Sequence, residues 1–200
     1  MTRSLWMKLA LAGAAALTPT VAVAHTGVGA AGGFAQGLLH PITGLDHVLA
    51  MVTVGIFAWQ LGGRALWLVP ATFVAVMAFG GALGIAGLGV PFVELGIALS
   101  VVVLGAMVAA GVKAPLAAAM ALAGAFAIFH GHAHGAEMPE TVAGLAYGVG
   151  FMLATGLLHL AGIGTGMLIG RAGDRYGQAA LRSAGGCIGL AGIGILAGLI

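Results

Sequence analysis

Charge is what this chain has least of. Only 6% of its 200 residues are Asp, Glu, Lys or Arg, while 61% are hydrophobic. A soluble domain carries about 25% charged residues, so no water-facing surface can be built here. Cysteine is almost missing. Cys187 stands alone, which excludes an intrachain disulfide and any cysteine-cluster metal site. Its apolar surroundings in the sequence read as a small core residue. The basic residues are few and scattered, which excludes a nucleic-acid surface. A Gly-x-x-x-x-Gly-Lys-Ser/Thr phosphate loop is missing, so the chain does not hydrolyse ATP by that route. A helix-borne His-Glu-x-x-His is missing as well, which counts against a zinc hydrolase. The 37 glycines follow no Gly-X-Y period and are not collagen.

What remains is a set of long apolar runs with short breaks. That pattern predicts an all-α integral membrane protein. Residues 1–24 read as a secretory signal: Arg3 and Lys8, a short apolar stretch at Leu9–Leu17, then Ala22-Val23-Ala24 as the cleavage site. Cleavage makes His25 the mature N-terminus, where α-amine and imidazole can chelate together. Residues 25–200 read as one polytopic domain. The stretch 26–39 is too short to cross and reads as a half-inserted or surface helix. Six spans follow, at about 43–62, 65–88, 92–111, 115–131, 141–169 and 178–200. Pro91, Pro115 and Pro139 sit where first helical turns begin. Small-xxx-small pairs such as Gly80/Gly84, Gly162/Gly166, Gly185/Gly189 and Gly194/Gly198 predict close helix packing.

With the signal removed, the basic residues are Arg64, Lys113, Arg171, Arg175 and Arg182. All fall at the breaks after spans 1, 3 and 5 or at their helix ends. The positive-inside rule makes that side cytoplasmic and puts both mature ends at the exterior or periplasm. The polar residues of the other side are histidines and carboxylates: His40, Asp46, His47, Glu94, His130, His132, His134 and Glu137. Only His159 lies deeper. Ionisable groups within membrane helices are costly to desolvate, which makes them functional candidates.

Imidazole and carboxylate without thiolate point to a borderline divalent transition metal. The metal set is therefore His25, His40, Asp46, His47, Glu94, His130, His132, His134 and His159. His47 shares a helix face with Met51, and His130 shares one with His134. Structural readings compete at several positions. Thr43-Gly44-Leu45-Asp46 fits a capping box. Glu94 and Glu140 sit in first turns, where the helix dipole favours anions. His130–His134 reads as a flexible outer loop that collects ions. Met51 reads as core, and His159 as a hydrogen-bonded packing residue.

The chain resembles the HupE/UreJ family of membrane accessory proteins of nickel enzymes. The resemblance rests on His40-Pro41-x-x-Gly44-x-Asp46-His47-x-Leu49-Ala50-Met51, on Glu94-x-Gly96-Ile97-x-x-Ser100, and on Phe129-His130-Gly131-His132-Ala133-His134-Gly135-x-Glu137. It implies a permease for nickel or cobalt that serves hydrogenase or urease maturation. By motif match, His40, Asp46 and His47 are the transport-critical residues, with Glu94, His130, His132 and His134 as candidates. The metal is then cargo, with no tightly bound cofactor and no enzyme activity. The partners are the metal ion, the bilayer, nickel-enzyme maturation proteins and a second copy of the chain. In the nickel/cobalt transporter family a similar motif has four residues between His and Asp-His. Five separate His40 from Asp46, so the chain is not placed there. The competing functions are a membrane metal sensor or carrier without transport, an intramembrane zinc hydrolase, and a bis-histidine haem protein.

Overall fold

The structure, a computed structural model, describes residues 30–138 and 142–200. The signal segment, His25, Pro139 and Glu140 lie outside the described residues. The described residues are all helical: α1 (Ala30–Thr43), α2 (Leu45–Leu61), α3 (Ala65–Ile85), α4 (Val93–Ala110), α5 (Leu116–Ala136), α6 (Val142–Gly170) and α7 (Asp174–Leu196). Five of these helices, α3 to α7, are long and apolar enough to cross a membrane.

The first crossing differs from the simple span expected at 43–62. Helix α2 has 17 residues and reaches about 26 Å at 1.5 Å per residue, short of a hydrocarbon core about 30 Å thick. Taken with α1, from which it is bent by 83°, it has the length and apolarity of one broken span or of a re-entrant turn. The sequence causes the bend. Pro41 brings no backbone N–H and crowds the preceding turn, and Gly44 takes an extended conformation (φ −96°, ψ 120°). Thr43 does not cap α2. Its hydroxyl donates to the His40 carbonyl at 2.7 Å, and Gly44 is the N-cap without a side-chain bond, so the capping box does not form.

Residues 30–39, expected as a half-inserted or surface helix, are part of α1. Helix α1 packs along the N-terminal half of α6, with Gly33 against Ala143 and Gly37 against Tyr147. The C-terminal half of α6 packs against α2. A side chain at Gly55 would run into the backbone of His159 and Gly162, so only glycine allows this approach. Helix α2 touches α1, α3, α4, α6 and α7, and so lies at the centre. Met51, Val54 and Phe57 are fully buried there.

The remaining helices pair closely, α3 with α5 and α4 with α7. Gly80 and Gly84 lie on the α5 backbone, Gly162 on Val52, and Gly185 on Ala109. Gly194/Gly198 is different, because Gly198 follows the end of α7 with φ +67° and closes the helix. Pro115 is the N-cap of α5, and Pro91 precedes α4 by a turn rather than beginning it. Cys187 is exposed on α7 and is not a core residue. The breaks after α2 and α4 meet at one end of the bundle. There Gln60 Nε2 donates to the Val112 carbonyl (3.1 Å), and Lys113 Nζ donates to the Gln60 carbonyl (3.0 Å).

Candidate metal centre

The other end holds the histidines, and α5 brings most of them. This helix continues through His-Gly-His-Ala-His to Ala136, where the sequence suggested a loop. The reason is register. Gly131 and Gly135, four apart, lie directly against Met77 and Gly81 of α3. The glycines are there for close packing, not for flexibility. His130 and His134, also four apart, are thereby turned toward α2.

His47 is the meeting point. Its ring lies edge-on to His130 (centroids 4.7 Å) and to His134 (4.5 Å), and is 6% exposed. Asp46 reaches it although neighbouring helix positions point about 100° apart. At the first turn of α2 the short carboxylate folds back. Its Oδ1 accepts from the His47 backbone N–H (2.8 Å) and from His47 Nδ1 (3.0 Å). Asp46 therefore holds an imidazole in place, as carboxylates behind metal-binding histidines do.

These contacts determine which nitrogens are free. With its Nδ1–H on Asp46, His47 offers the lone pair of Nε2. His134 Nε2 donates to that lone pair at 2.6 Å, which leaves the Nδ1 lone pair of His134. Ser100 donates its hydroxyl to the Ile97 carbonyl (2.6 Å) and so accepts from His130 Nε2 (3.0 Å), which leaves the Nδ1 lone pair of His130. His132 Nε2 donates to the Leu88 carbonyl (2.9 Å), which leaves its Nδ1. Among the described residues, the Nδ1 atoms of His130, His132 and His134 are all buried without a partner, as are both ring nitrogens of His159. Buried polar groups are normally hydrogen-bonded, and imidazole lone pairs are what transition metals bind.

His40, on the last turn of α1, lies edge-on to His134 (4.7 Å). One ligand atom each from His40, His134 and Glu137 lie within 4.8 Å of one another. Glu137 is exposed and forms the mouth of this trio. The bend at Pro41–Gly44 is what carries His40 to the α5 histidines. Phe151 closes the cluster with its ring 4.5 Å from His134. A cavity of about 450 Å³ also reaches His134 from the side, but Met77, Ile85, Leu145, Phe151 and Met152 line it, which suits an acyl chain better than an ion.

The structure thus brings together His40, Asp46, His47, His130 and His134. It turns His132 away toward Leu88 and places His159 deeper in the bundle. Glu94 is exposed in the first turn of α4 and forms no ion pair with the cluster. Met51 is core, with no exposed surface. Sequence reasoning set neither Glu137 nor Ser100 among the site residues, although both stand in the motifs it singled out. Ser100 has no ligand chemistry of its own, and only its contact with His130 shows what it does.

The comparisons with known proteins give the family. The HupE / UreJ protein family is matched over residues 13–195. Protein HupE of Rhizobium leguminosarum bv. viciae is 50% identical over 186 residues, covering 92% of this chain and 95% of that protein. No solved structure matches. A match over nearly the whole length, which includes the His40–Met51 and Phe129–Glu137 motifs, makes this chain a multi-pass membrane protein of the HupE/UreJ family.

Proposed function

We propose that the chain is a secondary permease that imports a divalent transition metal, nickel first and cobalt second, for hydrogenase or urease maturation. The observation that carries this reading is the set of buried imidazole lone pairs at His130 and His134, beside a His47 whose tautomer Asp46 fixes. Membership of the HupE / UreJ protein family supports it. The ion is cargo. It enters at His40, His134 and Glu137 and passes to His47 Nε2, taking the place of the hydrogen bond that His134 Nε2–H now gives that nitrogen.

The histidine end faces the periplasm and the basic end faces the cytoplasm of the inner membrane, with the mature N-terminus outside. The placement of Arg64, Lys113, Arg171 and Arg182 supports this orientation. The membrane potential then drives entry, with roughly 4.6 kcal/mol per divalent ion at 100 mV. Nickel-enzyme maturation proteins receive the metal.

The test is metal flux into proteoliposomes under an inside-negative potential, with cobalt, zinc and manganese as competitors. Saturable nickel entry that cobalt inhibits is expected. Tight binding without entry makes the protein a metal carrier or sensor held in the membrane, and ends the permease reading.

A further inference from the structure

His159 is the residue that the outer cluster does not explain. It sits in the middle of α6, is 1% exposed, and neither ring nitrogen meets a hydrogen-bond partner among the described residues. A neutral imidazole carries one N–H and one lone pair, so both are left over. The obvious local partner does not help. Thr155, one turn earlier, directs its hydroxyl to Met77 Sδ at 3.8 Å. The Phe73 ring lies edge-on to His159, at 5.2 Å and 82°. Phe73 also leans on His130 at 5.7 Å. His130 has no exposed surface, and Ser100 fixes its tautomer with Nδ1 as a free lone pair.

Facing helices therefore build a second polar spot inside the bundle. Helix α3 contributes Phe73 and Met77, α6 contributes Thr155 and His159, and α5 contributes His130. Its free donors are imidazole nitrogens, with a thioether close by. That chemistry suits a borderline divalent d-block ion and does not suit an alkali or alkaline-earth ion. A core histidine kept only for packing would be expected to have a hydrogen-bond partner, and this one has none. Leucine would fill the same place without the cost of the unpaired nitrogens.

We propose that His159, with His130 Nδ1, forms an inner transit site for the divalent metal ion, reached from His47 past His130 and the Phe73 ring. This inference rests on the permease reading and deepens it. The outer cluster captures the ion at the bundle end, and the inner site receives it at mid-depth. In His159→Leu the outer cluster is intact, because His40, Asp46, His47, His134 and Glu137 are unchanged.

The experiment compares the full-length parent and His159→Leu by equilibrium binding of labelled nickel in detergent and by nickel flux in proteoliposomes. Size-exclusion profile and melting temperature serve as fold controls, and His159→Asn serves as a second, polar variant. The expected result has three parts. Both variants stay monodisperse, each binds one nickel ion fewer than the parent, and flux at saturating nickel falls at least tenfold. Parent-like stoichiometry and flux in the folded variants overturn the inner site. If the parent itself carries no flux, the permease reading fails, and the loss of one bound ion in His159→Leu still decides whether the inner site exists.

Discussion

The two ends of this bundle treat their polar residues in opposite ways. At the basic end, Gln60 and Lys113 donate to main-chain carbonyls across the breaks after α2 and α4. Arg182 lies over Gly111, close enough that a side chain there would strike its guanidinium. These groups fasten loops together. At the histidine end, apart from His132 on the Leu88 carbonyl and Thr43 on the His40 carbonyl, the partners are other side chains: Asp46 on His47, His134 on His47, Ser100 on His130. After those bonds are made, buried imidazole nitrogens are still free. A satisfied polar group is a fastener. A buried polar group that is oriented and unsatisfied has capacity for a ligand. The difference lies in what the bonds leave over, and residue counts alone do not show it.

The largest effect that tests this contrast is expected at His134. It touches His40, His47 and Phe151, and it belongs to both the outer trio and the His47 pair. His134→Ala should abolish uptake of labelled nickel even at saturating metal, with normal membrane abundance on blots of the same cells. His132→Ala should differ, because that ring turns away to the Leu88 carbonyl. It should retain most uptake at saturating nickel. Equal loss in the two variants would mean that His132 and His134 act as one unit, and the geometric separation would have no functional meaning.

A smaller effect is expected at Asp46. Asparagine keeps an oxygen that can accept from His47 Nδ1, and it also caps helices well. It lacks the charge that holds the proton on Nδ1 and so keeps Nε2 as the lone pair. Removing such a carboxylate typically lowers metal affinity about 10–100-fold. Asp46→Asn should therefore raise the nickel concentration for half-maximal uptake by about that factor, at unchanged abundance. Parent-like uptake at limiting nickel would reduce Asp46 to a helix-start residue, and the site would have to be rebuilt around His40, His47 and His134.

Much of this was legible in the sequence. Low charge and long apolar runs gave the helical membrane class, and the positions of Arg64, Lys113 and Arg182 put the breaks after α2, α4 and α6 at the same end. The histidines grouped at the opposite end because helix order alone sets that level. Three features were not legible. The 83° bend at Pro41–Gly44 joins the segment expected as a half-inserted or surface helix to α2, with Gly33 and Gly37 packed on α6. The 130–136 stretch resembled a glycine loop, because composition cannot tell a flexible glycine from one pressed against another backbone. Free nitrogens depend on tautomers, and tautomers depend on contacts such as Ser100–His130 that link residues 30 positions apart.

The smallest expected effect lies at the basic end, and it tests the other half of the comparison. Gln60→Ala removes the bond to the Val112 carbonyl and leaves the Lys113 bond to the Gln60 main chain in place. Losing one such hydrogen bond costs about 1 kcal/mol. In a chain of this size that lowers the melting temperature by about 2–4 °C. Gln60 lines a cleft of about 180 Å³ with Trp59, Lys113, Gln178 and Arg182, on the side where an imported ion would leave. If these residues are only fasteners, Gln60→Ala should melt slightly earlier and carry nickel at the parent's rate at saturating metal, measured on one preparation. A flux that falls several-fold with little change in melting temperature would break the contrast. The cleft would then be part of the exit path, and the link between the α2 and α4 breaks would have to open during each cycle.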